Sequence, residues 1–172
     1  MRISKLIGPL ILLTIVGSAV YYFYPEDKLA LGTRIDKIVV NKAQKQLLAY
    51  SKGQLLKTYN ISLRKPSGDK EFEGDKKTPE GVYFIDHKNP NSRYHKNLGI
   101  SYPDQKDLEY AKQSGRSAGG DVKIHGLRNG LGFIGKFHRL FNWTLGCIAV
   151  TNEEMDELYN SVETGTRIEI RP

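Results

Sequence analysis

Cysteine is almost absent: one residue, Cys147, in 172. That count excludes an internal disulfide framework and any paired-cysteine zinc or redox motif. Histidine is nearly as scarce, with four in the chain. His87 and His95 stand eight apart in a polar stretch, and no zinc-type spacing joins a histidine to the cysteine, so no metal and no cofactor is expected. Internal repeats and low-complexity tracts are missing as well. A glycine pattern suggestive of a dinucleotide site, GLGFIG at Gly130–Gly135, meets the cysteine only twelve residues later. That interval leaves no room for the crossover helix and second strand such a site requires, so these glycines are read as tight loop turns.

Acidic residues are also in short supply, 19 against 26 lysines and arginines, giving a formal net charge of +7. Such a surface favours polyanions: nucleic acid, acidic lipid headgroups or anionic wall polymers. The lysines are scattered and not clustered, and nucleic acid is not expected as a partner once the N-terminus is considered.

What is present begins with an uncharged run of twenty residues, Leu6 to Pro25, LIGPLILLTIVGSAVYYFYP. A helix of that length matches a hydrocarbon core of about 30 Å. Arg2 and Lys5 precede the run and Glu26 and Asp27 follow it, which orients the rest of the chain outside the cytoplasm. Tyr21, Tyr22, Phe23 and Tyr24 then fall where an aromatic belt meets the outer headgroups. The expectation is an N-terminal transmembrane helix over residues 1–25, a linker over 26–33 and a folded domain over 34–172, with the bacterial membrane as a partner. A cleaved signal peptide is the competing reading, since GSA at 17–19 resembles a small-residue cleavage site.

The folded part reads as mainly β. Ile35, Ile38 and Val40 favour a strand, and two β-prone runs flank Lys52-Gly53 as a hairpin. Residues 64–81 form a polar loop punctuated by Pro and Gly, followed by a strand at GVYFID and a short helix around 104–112. Val122 and Ile124 alternate with Lys123 and His125, placing His125 near a strand end. Thr151 with Glu154 three residues on is a capping box, and Met155, Leu158, Tyr159 and Val162 follow at helical spacing. GTRIEIRP closes the chain as a strand. One or two short helices on a sandwich or barrel-like sheet are the expected architecture.

Export makes an unpaired thiol a liability, because it oxidises or cross-links unless it does chemistry. Two readings of Cys147 stand side by side, an inert buried residue and a nucleophile. For the second, His125 is the candidate base, 22 residues upstream with a loop between. Gly146 precedes the cysteine, so the Cys147 backbone N–H sits in a sterically open turn of the kind an oxyanion hole uses. His138 is a rival base, read as a surface residue of the aromatic loop.

IHG at 124–126, the loop after it and TLGCIAVTN at 144–152, with TPEGVYFI at 78–85 and the hairpin KQLLAYSKGQLLKTYNIS, together resemble the L,D-transpeptidase catalytic domain, the YkuD or ErfK/YbiS/YcfS/YnhG family. The resemblance covers most of residues 34–172. It implies a mostly β fold acting on peptidoglycan stem peptides in the cell envelope. The peptide bond following a meso-diaminopimelate or similar L-centre would be attacked, through a cysteine thioester. It assigns Cys147 as nucleophile, His125 as base, the Gly126 carbonyl as the group orienting the histidine, and the N–H groups of Gly146 and Cys147 as oxyanion donors. Thr144 and Asn152 match the polar residues that open and close the motif. Two positions depart from the family pattern: Leu145 stands where many members have histidine, and Ala149 where many have arginine. Both are expected in the pocket wall, where they bear on transfer to an amine against hydrolysis. Trp143, Arg128 and Arg139, with Phe133, Lys136, Phe137 and Phe141, are candidates for a substrate-contacting lid, or else pack beneath the loop. A wall-binding module without catalysis is the reading from another class, which the intact Cys147 and His125 oppose.

Overall fold

The computed structural model describes residues 4–172, with side chains described from residue 7 onward. Eight strands form one sheet: β1 (Ile35–Asn41), β2 (Gln46–Ser51), β3 (Gln54–Asn60), β4 (Gly81–Ser92), β5 (His95–Ile100), β6 (Lys123–His125), β7 (Ile148–Ala149) and β8 (Val162–Arg171). Their spatial order is β3-β2-β1-β8-β4-β5-β6-β7. β1 pairs with β8, and β6 with β7, in parallel; the remaining neighbours are antiparallel. Beyond β3 the chain returns to the opposite edge, where Ser62 and Ala149 form an antiparallel bridge. The sheet is therefore rolled into a half-barrel, with the loop after β3 meeting β7.

Local chemistry explains the main elements. Lys52 and Gly53 both take positive φ, 49° and 79°, which is the turn that suits the right-handed twist of a two-residue hairpin. Along β1 and β8, Ile35, Ile38, Val40, Ile168 and Ile170 are buried in one core with Leu47, Tyr59, Tyr83, Leu98 and Ile124. Three helices and one 3₁₀ segment accompany the sheet: α1 (Ser4–Phe23), α2 (Gln105–Gln113), α3 (Asn152–Ser161) and the 3₁₀ stretch Gly132–Leu140. The expected capping box is formed, with Glu154 N–H donating to Thr151 Oγ1 at 3.2 Å and Thr151 N–H to Glu154 Oε2 at 2.9 Å. Met155 and Leu158 then turn into the core.

Three strand boundaries differ from the sequence reading. β4 does not stop at Asp86 but runs to Ser92, pairing with β5 in a two-stranded arm whose outer residues are polar. β5 lies at His95–Ile100, where the sequence suggests a strand only over Ile100–Tyr102. β8 begins at Val162, where the helix was expected to be ending.

The N-terminal helix brings a correction. Among the described residues no helix is long and apolar enough to cross a membrane. The spanning anchor, and with it the membrane as a partner, is therefore not supported. The Arg2 and Lys5 side chains that oriented the expected span lie outside the described residues. Nor are all of the belt aromatics free for headgroups. The Tyr22 hydroxyl donates to Phe133 O at 2.7 Å, and the rings of Tyr21 and Tyr22 pack on Phe137 at 5.8 and 5.4 Å. The last turn of α1 is docked on the domain.

The 64–81 loop is fixed by one buried cation. Lys42 has no exposed surface, and its Nζ donates to Gly68 O at 2.6 Å, Thr78 O at 2.8 Å and Glu80 Oε1 at 2.8 Å. Removing it leaves a carboxylate and two carbonyls without their donor. Lys42→Ala is expected to lower the unfolding free energy by about 3 kcal/mol, measured as the shift of the urea midpoint at unchanged slope.

Candidate active site

The site is assembled by the parallel pairing of two very short strands. Ile124 lies opposite Ile148 and His125 opposite Ala149, with Val150 N–H donating to His125 O at 3.0 Å. Both isoleucines are fully buried, so the core side chains hold the register while His125 ends one strand and Cys147 immediately precedes the other. Residues 22 apart in sequence thus meet at one sheet edge.

His125 is buried, and its Nδ1 lies 2.7 Å from the Gly126 carbonyl. A carbonyl only accepts, so Nδ1 carries the proton and Nε2 is left as the basic nitrogen. Burial holds the imidazole below its usual pKa; the Gly126 carbonyl opposes this and the Lys123 charge adds to it. Cys147 is partly exposed, and its thiol lies 3.7 Å from the Asp121 carbonyl. Burial pushes the thiol up, while the backbone N–H of Lys123 favours the thiolate. Burial thus favours the neutral form of both groups, imidazole and thiol.

Both motif glycines are required by space. Gly146 has φ 121°, and a Cβ there would sit 2.8 Å from the Lys77 carbonyl, which the 64–81 loop brings against the Cys147 turn. A Cβ on Gly126 would lie 2.7 Å from Asn152 Oδ1. Asn152 opens α3 and accepts the Leu127 N–H at 2.8 Å, tying the end of β6 to the helix after β7. The Thr144 hydroxyl is buried and donates to Cys147 O at 2.8 Å, closing the turn that carries the thiol.

The remaining candidates are dispersed. Leu145 is 73% exposed beside the thiol turn. Ala149 is fully buried and exchanges two backbone hydrogen bonds with Ser62, at 2.9 and 3.0 Å, so no open pocket wall forms at its side chain. Arg128 is exposed to solvent. Arg139 is ion-paired on both sides, with Glu26 at 2.8 Å and Glu154 at 2.8 Å. The expected lid divides: Phe133 and Phe141 are exposed, Phe137 packs against α1, and Trp143 turns inward to His125 with ring centroids 5.6 Å apart. His138, expected at the surface, is buried, because the 3₁₀ segment folds it under the loop.

Tyr94 escaped the sequence reading. It sits in the β4–β5 turn, 4.7 Å from the His125 ring and stacked on Trp143 at 6.1 Å. Asn129 secures that turn by accepting the His95 N–H at 2.9 Å and donating to Ser92 O at 3.0 Å. Nothing in the polar stretch around it marks Tyr94, since its partners are 31 and 49 residues away.

Comparison with known proteins identifies the fold and the family. The family described as YkuD, L,D-transpeptidase catalytic domain, matches residues 35–170. YafK, an L,D-transpeptidase homologue of Escherichia coli (strain K12), is 30% identical over 112 residues, covering 63% of this chain and 38% of its own length. Among solved structures, the helical cell shape determining protein Pgp2 of Campylobacter jejuni is similar with a TM-score of 0.59 at 23% identity, over 85% of this chain and 52% of that one. Bd1075 of Bdellovibrio bacteriovorus is similar with a TM-score of 0.53 at 23% identity, over 81% of this chain and 48% of that one. The chain spans well under two thirds of each of these relatives.

Two outcomes follow from the site's geometry. Gly146→Ala must place a methyl group against the Lys77 carbonyl in a backbone region L-residues avoid, and is expected to cost about 2 kcal/mol or more in urea unfolding. With no substrate present, iodoacetamide is expected to alkylate Cys147 more slowly at pH 7 than it does free cysteine. The rate should climb only above the ordinary thiol pKa of about 8.5, because burial raises the thiol.

Proposed function

The chain belongs to the L,D-transpeptidase catalytic domain family, and from that membership we propose that it is a peptidoglycan acyltransferase working through a Cys147 thioester. The observation that carries the proposal is the β6–β7 pairing, which aligns the strand ending in His125, a histidine with one committed nitrogen, with the strand that the chain's single cysteine immediately precedes. His125 Nε2 takes the thiol proton as the sulfur attacks the carbonyl of a stem-peptide bond that follows the L-centre of a meso-diaminopimelate or similar residue. The backbone N–H groups of Gly146 and Cys147 hold the resulting oxyanion. The C–N bond then breaks, the leaving amine of the D-residue takes the proton back from His125, and the acyl group remains on sulfur. An acceptor amine attacks the thioester and completes transfer; water in its place completes hydrolysis.

Neutral resting groups suit this sequence, because the buried site need not stabilise separated charges before substrate arrives. Peptidoglycan is an envelope polymer, so the domain works in the cell envelope, in wall cross-linking or remodelling. The basic surface, net +7, is complementary to anionic wall material. Leu145, projecting into solvent beside the thiol, is the side chain best placed to select the acceptor.

The full chain incubated with tetrapeptide-containing muropeptides, with products followed by mass spectrometry, tests the proposal. Cross-linked dimers or exchanged D-amino acids are expected for transfer, and tripeptides alone for hydrolysis. Cys147→Ala and His125→Ala should each lower turnover by at least about a hundredfold, and products undiminished in Cys147→Ala would overturn the assignment.

A further inference from the structure

The 3₁₀ segment holds a buried histidine that the proposed chemistry does not use. His138 is 3% exposed, and its Nδ1 accepts the indole N–H of Trp143 over 3.4 Å. Indole is a donor only, so Nδ1 must be the unprotonated nitrogen and Nε2 must carry the hydrogen. That Nε2 is buried with no hydrogen-bond partner among the described residues. A buried donor left without a partner destabilises a fold, so the side chain is not explained by its own hydrogen bonding.

What it holds is informative. Trp143 stands edge-on to His125 at 5.6 Å and 68°, and stacks on Tyr94 at 6.1 Å and 27°. The three rings form a triangle, with Tyr94 4.7 Å from the His125 ring and in contact with Trp143 as well. Gly126 fixes one edge of the imidazole, and the two aromatic neighbours restrict its plane. Both neighbours of His138 are immobilised in turn. Phe137 packs under Tyr21 and Tyr22, and Arg139 is held between Glu26 and Glu154. The backbone that presents His138 is therefore clamped on either side.

We infer that His138 is a positioning residue for the catalytic base: by accepting the Trp143 indole N–H it holds that ring edge-on against the His125 imidazole. The inference rests on His125 being the base. It assigns to His138 no contact with substrate and no proton transfer; its effect passes through Trp143.

Trp143 is the only tryptophan in the chain, so its fluorescence reports the contact directly. The test compares the full chain with His138→Leu, His138→Asn, Trp143→Phe and the double variant His138→Leu/Trp143→Phe. His138→Leu is expected to shift Trp143 emission and to lower kcat on muropeptides about tenfold at little changed KM, the size of one lost hydrogen bond. His138→Asn, which keeps an acceptor near the Nδ1 position, should retain most of both. Trp143→Phe should lower kcat to a similar extent, and adding His138→Leu to it should change nothing further. Emission unmoved in a folded His138→Leu protein overturns the inference whether or not the enzyme turns over. Rate losses that multiply in the double variant overturn it too. If His138→Leu does not fold, His138→Asn with native emission and kcat supports the inference, and His138→Asn with kcat lost while Trp143→Phe keeps it overturns it. A wild-type protein that makes no product refutes the enzymatic reading instead, and is told apart by an emission shift that still occurs.

Discussion

One amide holds the site together. The Asn152 side chain accepts the Leu127 N–H and lies so close to Gly126 and Gly132 that a Cβ at either would approach within 2.7 and 2.6 Å. It stands at the first turn of α3, just after the strand that follows Cys147, and reaches back to the strand end that carries His125. The capping box of Thr151 and Glu154 fixes where that helix begins, and so where the amide points. Two parallel strands of three and two residues make few ladder bonds on their own. Their alignment depends on the buried isoleucine pair beneath them and on this polar tie above.

The second organising fact is electrical. Burial works against charge on both the imidazole and the thiol, so neither is ionised in advance. One ion pair, Lys123–Asp121, acts on the Cys147 thiol itself, and others fix the surrounding loops. Lys42 ties the 64–81 loop, Arg139 ties the 3₁₀ segment, and the Lys70–Asp75 pair organises the loop on which the Lys77 carbonyl rides. Asp75 also accepts the backbone N–H groups of Glu71, Phe72 and Lys77, which keeps its carboxyl below its usual pKa despite burial. The charged residues thus shape a frame around Cys147 and His125, which burial keeps neutral.

Much of this was legible in the sequence because it is encoded locally. The Lys52-Gly53 turn, the capping box at Thr151 and the strand ending in His125 depend on residues within a few positions of one another. Cys147 and His125 stood out as candidates because one is a lone cysteine after a glycine and the other a strand-end histidine before one, and the β6–β7 pairing aligns the strands that carry them. What could not be read depends on distant contacts. Tyr94 reaches the site through a hairpin whose outer residues are polar on an arm of two strands, so hydrophobic alternation ends before β4 does. His138 is a loop residue by every local sign, yet the loop folds over it. Arg139 finds Glu26 across 113 positions, a pairing with no local signature. The apolar run at the N-terminus shows the converse, a strong local signal whose meaning is set by where its last turn docks.

That docking separates two boundaries that usually coincide. The family match begins at residue 35, where the first strand enters the core. The working unit begins earlier, because Tyr21, Tyr22 and Glu26 are partners of Phe133, Phe137 and Arg139 in the loop that leads to Trp143. A fragment trimmed to the fold would keep every strand and both reacting groups while leaving Arg139 with half of its counter-charge and Phe137 uncovered. For this chain the N-terminal segment is a buttress of the 3₁₀ loop, and shortening the protein is a change to the architecture of the candidate site.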